Sequence, residues 1–219
     1  MQKVRLLSII LLILTGLMLS AQTRPLPVLK SKGNTITAFI PAGWRLIKQA
    51  TGDLNQDGIA DIAGVIELNK NYNPATETAP PRILFVAFKK PDGFYYLAAQ
   101  SEKAILKADE GGIWGDPLDS IIIKNKTLTL YFYGGSNHRW SFIYHFRYVN
   151  NALYLMDAER VNYFNVTGEG TKINYNLMTG ILVKSAIIRE KILKTQRMNR
   201  GKKLIKLENF NATPDGTLF

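Results

Sequence analysis

A mostly β fold, an antiparallel sandwich or barrel-like meander with few short helices, is what this sequence predicts, and three observations predict it. Runs rich in β-branched and aromatic residues recur at intervals of about ten residues from Ile83 to Tyr163. Turn chemistry separates them, at Pro91-Asp92-Gly93, Asn125-Lys126, Gly134-Gly135-Ser136-Asn137 and Asn150-Asn151. No helical period of apolar residues lasts beyond two turns, and there is no internal repeat. Evenly spaced short strands with turns between them are the pattern of a sandwich or meander.

Taken in order, residues 22–33 form an extended lead-in, because Pro25 and Pro27 oppose helix. Thr35–Ile40 alternates into Pro41-Ala42-Gly43 and reads as a strand ending in a turn. Trp44–Lys48 and Ile62–Leu68 are short strands on either side of an acidic loop, and Asn69–Pro81, with three prolines, ends that hairpin. Ile83–Lys89 pairs back with Phe94–Ala99 across Pro91-Asp92-Gly93, where proline presets the first turn dihedral and glycine accepts positive φ. Ser101–Lys107 fits a short helix or a strand, and Asp109–Leu118 is a glycine-rich loop. Strands follow at Ser120–Lys124, Thr127–Tyr133, Trp140–Tyr148 and Tyr154–Tyr163, then at Lys172–Asn176, Ile181–Arg189, Lys191–Thr195 and Leu204–Leu207.

Ahead of all this, Met1-Gln-Lys-Val-Arg5 gives a basic start, Leu6–Leu19 a short apolar run, and Ser20-Ala21-Gln22 a small-residue exit. Those are the three regions of a secretory signal peptide, with cleavage expected after Ala21. The apolar run is shorter than the roughly 20 residues of a spanning helix, and no second such stretch follows. The remaining residues, 34–219 after the lead-in, are expected to form a single β-rich domain large enough for its own core. With no cysteine, disulfides, thiolate metal sites and cysteine nucleophiles are excluded. Export without cysteine points to a periplasmic or secreted protein of a bacterial envelope.

One motif carries chemistry. Asp53-Leu54-Asn55-Gln56-Asp57-Gly58-Ile59-Ala60-Asp61 sets oxygen side chains at loop positions 1, 3, 5 and 9, with glycine at 6. Calcium takes six to eight hard oxygen ligands, and this spacing aims several carboxylates at one point while Gly58 makes the sharp turn. The Ile59 carbonyl supplies position 7. Position 12 is Gly64 rather than a bidentate glutamate, and the flanks are strands, so this is not an EF-hand.

The loop resembles the Asp-x-Asn-x-Asp-Gly-x-x-Asp hairpin of FG-GAP and VCBS-type repeats, and Gly52 before Asp53 matches them too. That resemblance covers about residues 50–67 and implies Asp53, Asn55, Asp57, Ile59 (through its carbonyl) and Asp61 as ligands of a structural calcium ion. A propeller needs at least four such blades, and one copy does not imply it. The wider pattern, with Gly112–Pro117, Tyr133–Ser136, Arg139-Trp140 and Leu204–Phe210, is similar to uncharacterised secreted proteins of Bacteroidetes-type bacteria, a resemblance that implies no activity. The alternative for the loop is a hairpin rich in Asx-turns whose acids are only solvated.

Elsewhere the signals are thin. His138 and His145 lie seven apart and specify no metal or carboxylate partner. No Gly-x-Ser-x-Gly elbow anchors a hydrolase triad. Asp116, Asp119, Asp157 and Glu159 are the acids from which a glycosidase pair would have to come. The glycine-rich loops 111–117 and 134–140, with Trp114, Trp140, Asp116 and Arg139, form a candidate binding edge for a glycan, against the commoner use of such tryptophans in a core. Residues 184–206 hold nine basic side chains against the single acid Glu190. Such a segment suits a polyanion of the cell envelope, although its alternation fits an edge strand whose lysines deter aggregation. The expected protein is therefore an exported β-rich domain with a structural calcium loop and no specific nucleic-acid motif.

Overall fold

The computed structural model describes residues 26–219; the expected leader at 1–21 lies outside them. Among the described residues, thirteen strands make two antiparallel sheets. The short sheet contains β1 (Lys32–Gly33), β2 (Trp44–Gly52), β3 (Asp61–Leu68), β4 (Arg82–Lys89) and β5 (Tyr95–Ser101), in the order β1-β5-β4-β3-β2. The long sheet is a meander in chain order: β6 (Leu118–Lys124), β7 (Thr127–Gly135), β8 (His138–Val149), β9 (Ala152–Phe164), β10 (Glu169–Asn176), β11 (Ile181–Ile188) and β12 (Lys191–Asn199). The short strand β13 (Ile205–Lys206) pairs with β9 at Leu155 and Tyr154. Because β6 and β12 stand at opposite edges, the sheet does not close. The fold is a sandwich rather than a barrel.

Turn chemistry explains the meander. Asn125-Lys126 and Asn150-Asn151 are two-residue turns with both φ positive, the geometry whose twist matches flanking strands. Arg189-Glu190 does the same with two residues that have no special tolerance for it. The turn between β7 and β8 sits at Ser136-Asn137, later than the glycines suggest, because β7 continues through Gly134 and Gly135.

Two apolar clusters hold the layers. Between the sheets, Val65, Leu84 and Val86 face Leu130, Phe132, Phe142, Tyr144 and Phe146. The C-terminal segment seals this core, with the Phe210 ring 4.7 Å from that of Tyr144 and 5.3 Å from that of Phe146. On the far side of the short sheet, Ile62, Ile66, Ile83 and Phe85 pack under Leu29 and Phe39 of the N-terminal segment. That is why β3 and β4 read as continuous apolar runs: both of their faces are buried.

Two sequence expectations need correction. Ile36–Phe39 is a 3₁₀ turn, not a strand, with Ala38 N–H donating to Thr35 O at 3.2 Å and Ile40 N–H to Thr37 O at 3.1 Å. The turn drops Phe39 onto Phe85 (5.5 Å between rings), and this tertiary contact outweighs a pattern that alternates over only six residues. Gly64 makes room beneath, since a Cβ there would stand 2.5 Å from the Phe85 ring. Ser101–Lys107 is neither helix nor, beyond Ser101, strand; it is a bend that buries Ala104, Ile105 and Leu106.

Candidate functional site

The acidic loop joins β2 to β3 at the seam between the sheets. Gly52 ends β2 against β6, where a Cβ would lie 2.6 Å from Ile123 Cγ2, so only glycine allows that approach. Leu54, fully buried, plugs the loop into the main core. The loop's own N–H groups fix its acids. Asp53 accepts from Gln56 (2.7 Å) and Gly58 (3.1 Å), Asn55 Oδ1 from Asp57 (3.1 Å), and Asp57 Oδ1 from Ile59 (2.8 Å). Gln56 and Gly58 take φ of 69° and 81°, which closes the curl. Asn55 Nδ2 donates to Asp57 Oδ2 at 2.9 Å.

Asp61 differs from the other three. It is fully buried, with Oδ2 accepting from Leu54 (2.9 Å) and Asn55 (3.4 Å) and Oδ1 from Lys89 at the end of β4 (3.0 Å). Burial pushes its carboxyl up and those three N–H groups pull it down; burial prevails, with the Asp57 charge adding to it. Among the described residues, no three His, Asp or Glu side chains converge as a ready-made metal cluster. The donors are nonetheless all hard oxygens. A carboxylate offers about four acceptor positions, of which Asp53 and Asp57 each use two here. Together with the Asn55 and Ile59 oxygens this set fits a hard cation such as calcium.

The two glycine-rich loops do meet. Gly135 N–H donates to Gly111 O at 2.9 Å, and Gly112 bridges Gly135. Their tryptophans part company. Trp140 packs into the core, 4.9 Å from Phe142, whereas Trp114 is 53% exposed and carries the Arg139 guanidinium 4.1 Å from its ring centroid. Arg139 Nε and Nη1 are buried there without a hydrogen-bond partner.

Asp116 belongs to the fold rather than to a binding edge. It accepts from Arg82 Nη1 at 2.8 Å, while Arg82 Nε reaches Glu67 at 2.8 Å and Nη1 also reaches Leu106 O at 2.9 Å. Arg45 closes the network on Glu67 at 2.6 Å. Burial pushes the Asp116 carboxyl up, but the Arg82 hydrogen bonds, the Leu118 N–H and the Arg82 charge outweigh it and hold the group below the ordinary carboxylate range. Arg82 lines a groove of about 1240 Å³ beside the N-terminal segment. Its hydrogen-bonding capacity is already spent within the network.

A cleft of about 620 Å³ opens on the outer face of the long sheet. Tyr133, Val161, Tyr163 and Ile187 give it an apolar lining, and Ser141, Asn165, Glu159 and Lys172 add polar groups. The rows that make it come straight from register: Tyr133, Ser141, Val161, Lys172 and Ser185 lie side by side across β7 to β11. Lys172 Nζ holds Glu159 at 2.6 Å. Hydrogen bonding to Tyr133, then burial, keeps the Tyr163 phenol above its ordinary range. On β11, Ser185 and Ile187 are buried on this face although no second sheet covers it, while Lys184, Ala186 and Ile188 on the other face are exposed. The far end of the sheet thus wraps the cleft instead of the core.

The histidines lie apart. His138 rests against Phe164 (5.0 Å between rings), and His145 sits in a cross-strand row between Thr129 and Asp157. Its Nδ1 is 2.9 Å from Thr129 Oγ1 and its Nε2 3.6 Å from Asp157. Burial, against the charges of His145 and Arg147, leaves Asp157 above its ordinary value. Asp157 and Glu159 share the outer face of β9, each beside a basic or imidazole partner, while Asp119 is exposed on β6. Alternate positions of β8 to β10 carried the signal for this polar and aromatic face. The sequence reading took each strand singly and missed it.

The chain matches no protein-family model, and a search of curated proteins returns no match.

Proposed function

We propose that this is an exported binding module: a β-sandwich, braced by a calcium ion in the Asp53–Asp61 loop, that presents the outer cleft of its long sheet to a glycan of the cell envelope. The cleft of about 620 Å³ carries this reading. An apolar, aromatic lining with a few convergent polar groups is the usual composition of a ligand site. Tyrosine faces can lie against sugar rings, and the Ser141, Asn165, Glu159 and Lys172 side chains offer the hydrogen bonds that hydroxyl groups need. Trp114, exposed beside Tyr133 at 6.4 Å, extends the aromatic surface. Export is supported by the basic start, apolar run and small-residue exit of residues 1–21. Among the described residues no helix is long and apolar enough to cross a membrane.

Calcium in the loop would be held by Asp53, Asn55, Asp57, the Ile59 carbonyl and the remaining acceptor position of Asp61. Its contribution is to tie β2, β3 and, through Asp61 and Lys89, β4 at one point. The test of the cleft is calorimetric titration of a panel of envelope oligosaccharides, with tryptophan fluorescence followed in parallel and Trp114→Phe as its control. Saturable binding that Tyr163→Ala weakens at least tenfold is the expected result. No binding by any member of the panel, or binding indifferent to Tyr163→Ala, overturns the reading.

A further inference from the structure

Beside the outer cleft stands a cation that nothing in the fold neutralises. Register sets Arg139 in one cross-strand row with Gly135, Tyr163, Gly170 and Ile187, so its side chain rises from the cleft face of β8 next to Tyr163. Its Nε and Nη1 are buried without a hydrogen-bond partner, and among the described residues it makes no ion pair. The Trp114 ring covers one face of the guanidinium, 4.1 Å from its carbon. That contact engages the charge but none of the N–H donors, which point outward in the guanidinium plane. Buried donors of a charged group are costly to leave unpaired, and these call for a partner from outside the chain.

The other charges of the cleft cancel in sum. Lys172 holds Glu159 at 2.6 Å, and Arg189 and Glu190 line the rim together from the β11–β12 turn. The Arg189 stem lies over Gly168, where a Cβ would stand 2.6 Å from Arg189 Cγ. Arg189 and Glu190 hold φ of 46° and 70°, a turn that asparagine and glycine make without strain, and strain of this kind is kept where side chains serve a site. Arg139 therefore adds one uncompensated positive charge, and its field reaches the cleft. Hydrogen bonding to Tyr133 and burial raise the Tyr163 phenol, and the Arg139 charge opposes them. A neutral sugar would leave that charge unmatched. An anionic group supplies both the acceptors and the charge.

We infer that the cleft takes an acidic glycan and that Arg139 selects it, the guanidinium holding a carboxylate, phosphate or sulfate group of a sugar while the Trp114 side chain shifts to admit it. The inference rests on the reading of the outer cleft as a glycan site. The loop that carries Trp114 is pinned to β7, with Gly135 N–H on Gly111 O at 2.9 Å, so the ring moves and the loop does not.

The experiment is calorimetric titration of acidic sugars, each beside its neutral form: tetragalacturonate and its methyl ester, mannotriose phosphate and mannotriose, sulfated and unsulfated chitotetraose. At least one acidic form is expected to bind about tenfold or more tighter than its neutral partner, and the pair that responds names the anion. Arg139→Gln is expected to bring that ratio to about threefold or less, and so is Arg139→Lys, which keeps the charge without the planar donors. The double variant Lys184→Gln, Lys194→Gln, on the exposed face turned away from the cleft, is expected to leave the ratio unchanged. Because Arg139 has no partner to strand, Arg139→Gln is expected to melt no lower than wild type. A clear fall in its melting temperature would show that the fold already uses the guanidinium and overturns the inference. So does a preference for the acidic form that Arg139→Gln retains, or one that the double lysine variant loses equally. Acidic and neutral forms that bind alike, both weakened by Tyr163→Ala, overturn the inference and leave the glycan cleft standing; no binding of any sugar removes the cleft reading and this one with it.

Discussion

The Leu54 N–H donates to the Asp61 carboxylate at 2.9 Å, across seven residues of loop. Asp61 therefore holds the loop closed whether or not an ion is present, and it also fastens the end of β4 through Lys89. Replacing it with alanine strands three N–H groups, two of them on the loop. A loss of about 3 kcal/mol or more, a fall of roughly 6–12 °C in melting temperature, is expected for Asp61→Ala in chelator. A melt within a degree or two of wild type would remove Asp61 as the loop's clasp.

Asp57 provides the contrasting test. It is exposed, so Asp57→Ala is expected to leave the calcium-free melting temperature nearly unchanged, within about 0.5 kcal/mol. If the loop holds calcium as proposed, wild-type protein at a hundred times the dissociation constant is expected to gain about 2.7 kcal/mol and the variant nothing. Equal melting curves for wild type in calcium and in chelator would reduce the loop to its hydrogen bonds.

Gly52 gives a steric prediction. Its φ is ordinary, so the barrier to a side chain is Ile123 alone, 2.6 Å from where a Cβ would sit. Gly52→Ala is expected to cost about 1–3 kcal/mol by overpacking, and Ile123→Ala, which removes the clashing Cγ2, is expected to cost less in the Gly52→Ala chain than it does alone. The coupling, measured by denaturant unfolding of the two singles and the double, is the check.

The Arg82 network predicts both a mutant effect and an acid limb. Arg82→Leu leaves Glu67 buried and unpaired except for Arg45, and a cost of about 3–5 kcal/mol is expected. Asp116 is 44% exposed in its side chain, so solvent screens it and Asp116→Asn is expected to cost about 1 kcal/mol. The Asp116 pKa is depressed in the fold from 3.8. Its contribution is therefore complete above the unfolded value and disappears as pH falls through the folded one. Below about pH 4 the stability gap between wild type and Asp116→Asn is expected to close. A gap that widens on acidification would show that Asp116 is not stabilised as its carboxylate.

Most of the strand pattern was legible because hairpin turns declare themselves locally. Asn125-Lys126 and Asn150-Asn151 are found where their residues place them. Thr35–Ile40 was misread because an alternation of six residues suits a strand and a 3₁₀ turn alike, and only the distant Phe85 decides between them. The acidic loop was legible as a motif, yet the burial of Asp61 follows from Lys89, which is 28 residues away. Asp116 looked like a loop acid free to bind, since nothing near it in sequence announces Arg82. The cleft depends on register across five strands, so its tyrosines meet only once every hairpin has its length.

The order of strands in the long sheet has a consequence for how the molecule assembles. From β6 to β12 every neighbour in space is the neighbour in sequence, so this half can zip up hairpin by hairpin with short loops to close. The short sheet emerges first from synthesis, but β3 and β4 are apolar on both faces and have no cover on the inner one until β7 and β8 exist. Phe210 and Phe219 come after all the strands in the chain, and their rings lie 4.7 Å from Tyr144 and 6.3 Å from Phe142. Completion of the core thus waits for a segment that follows every strand of both sheets, so neither sheet can finish its interior from its own strands alone.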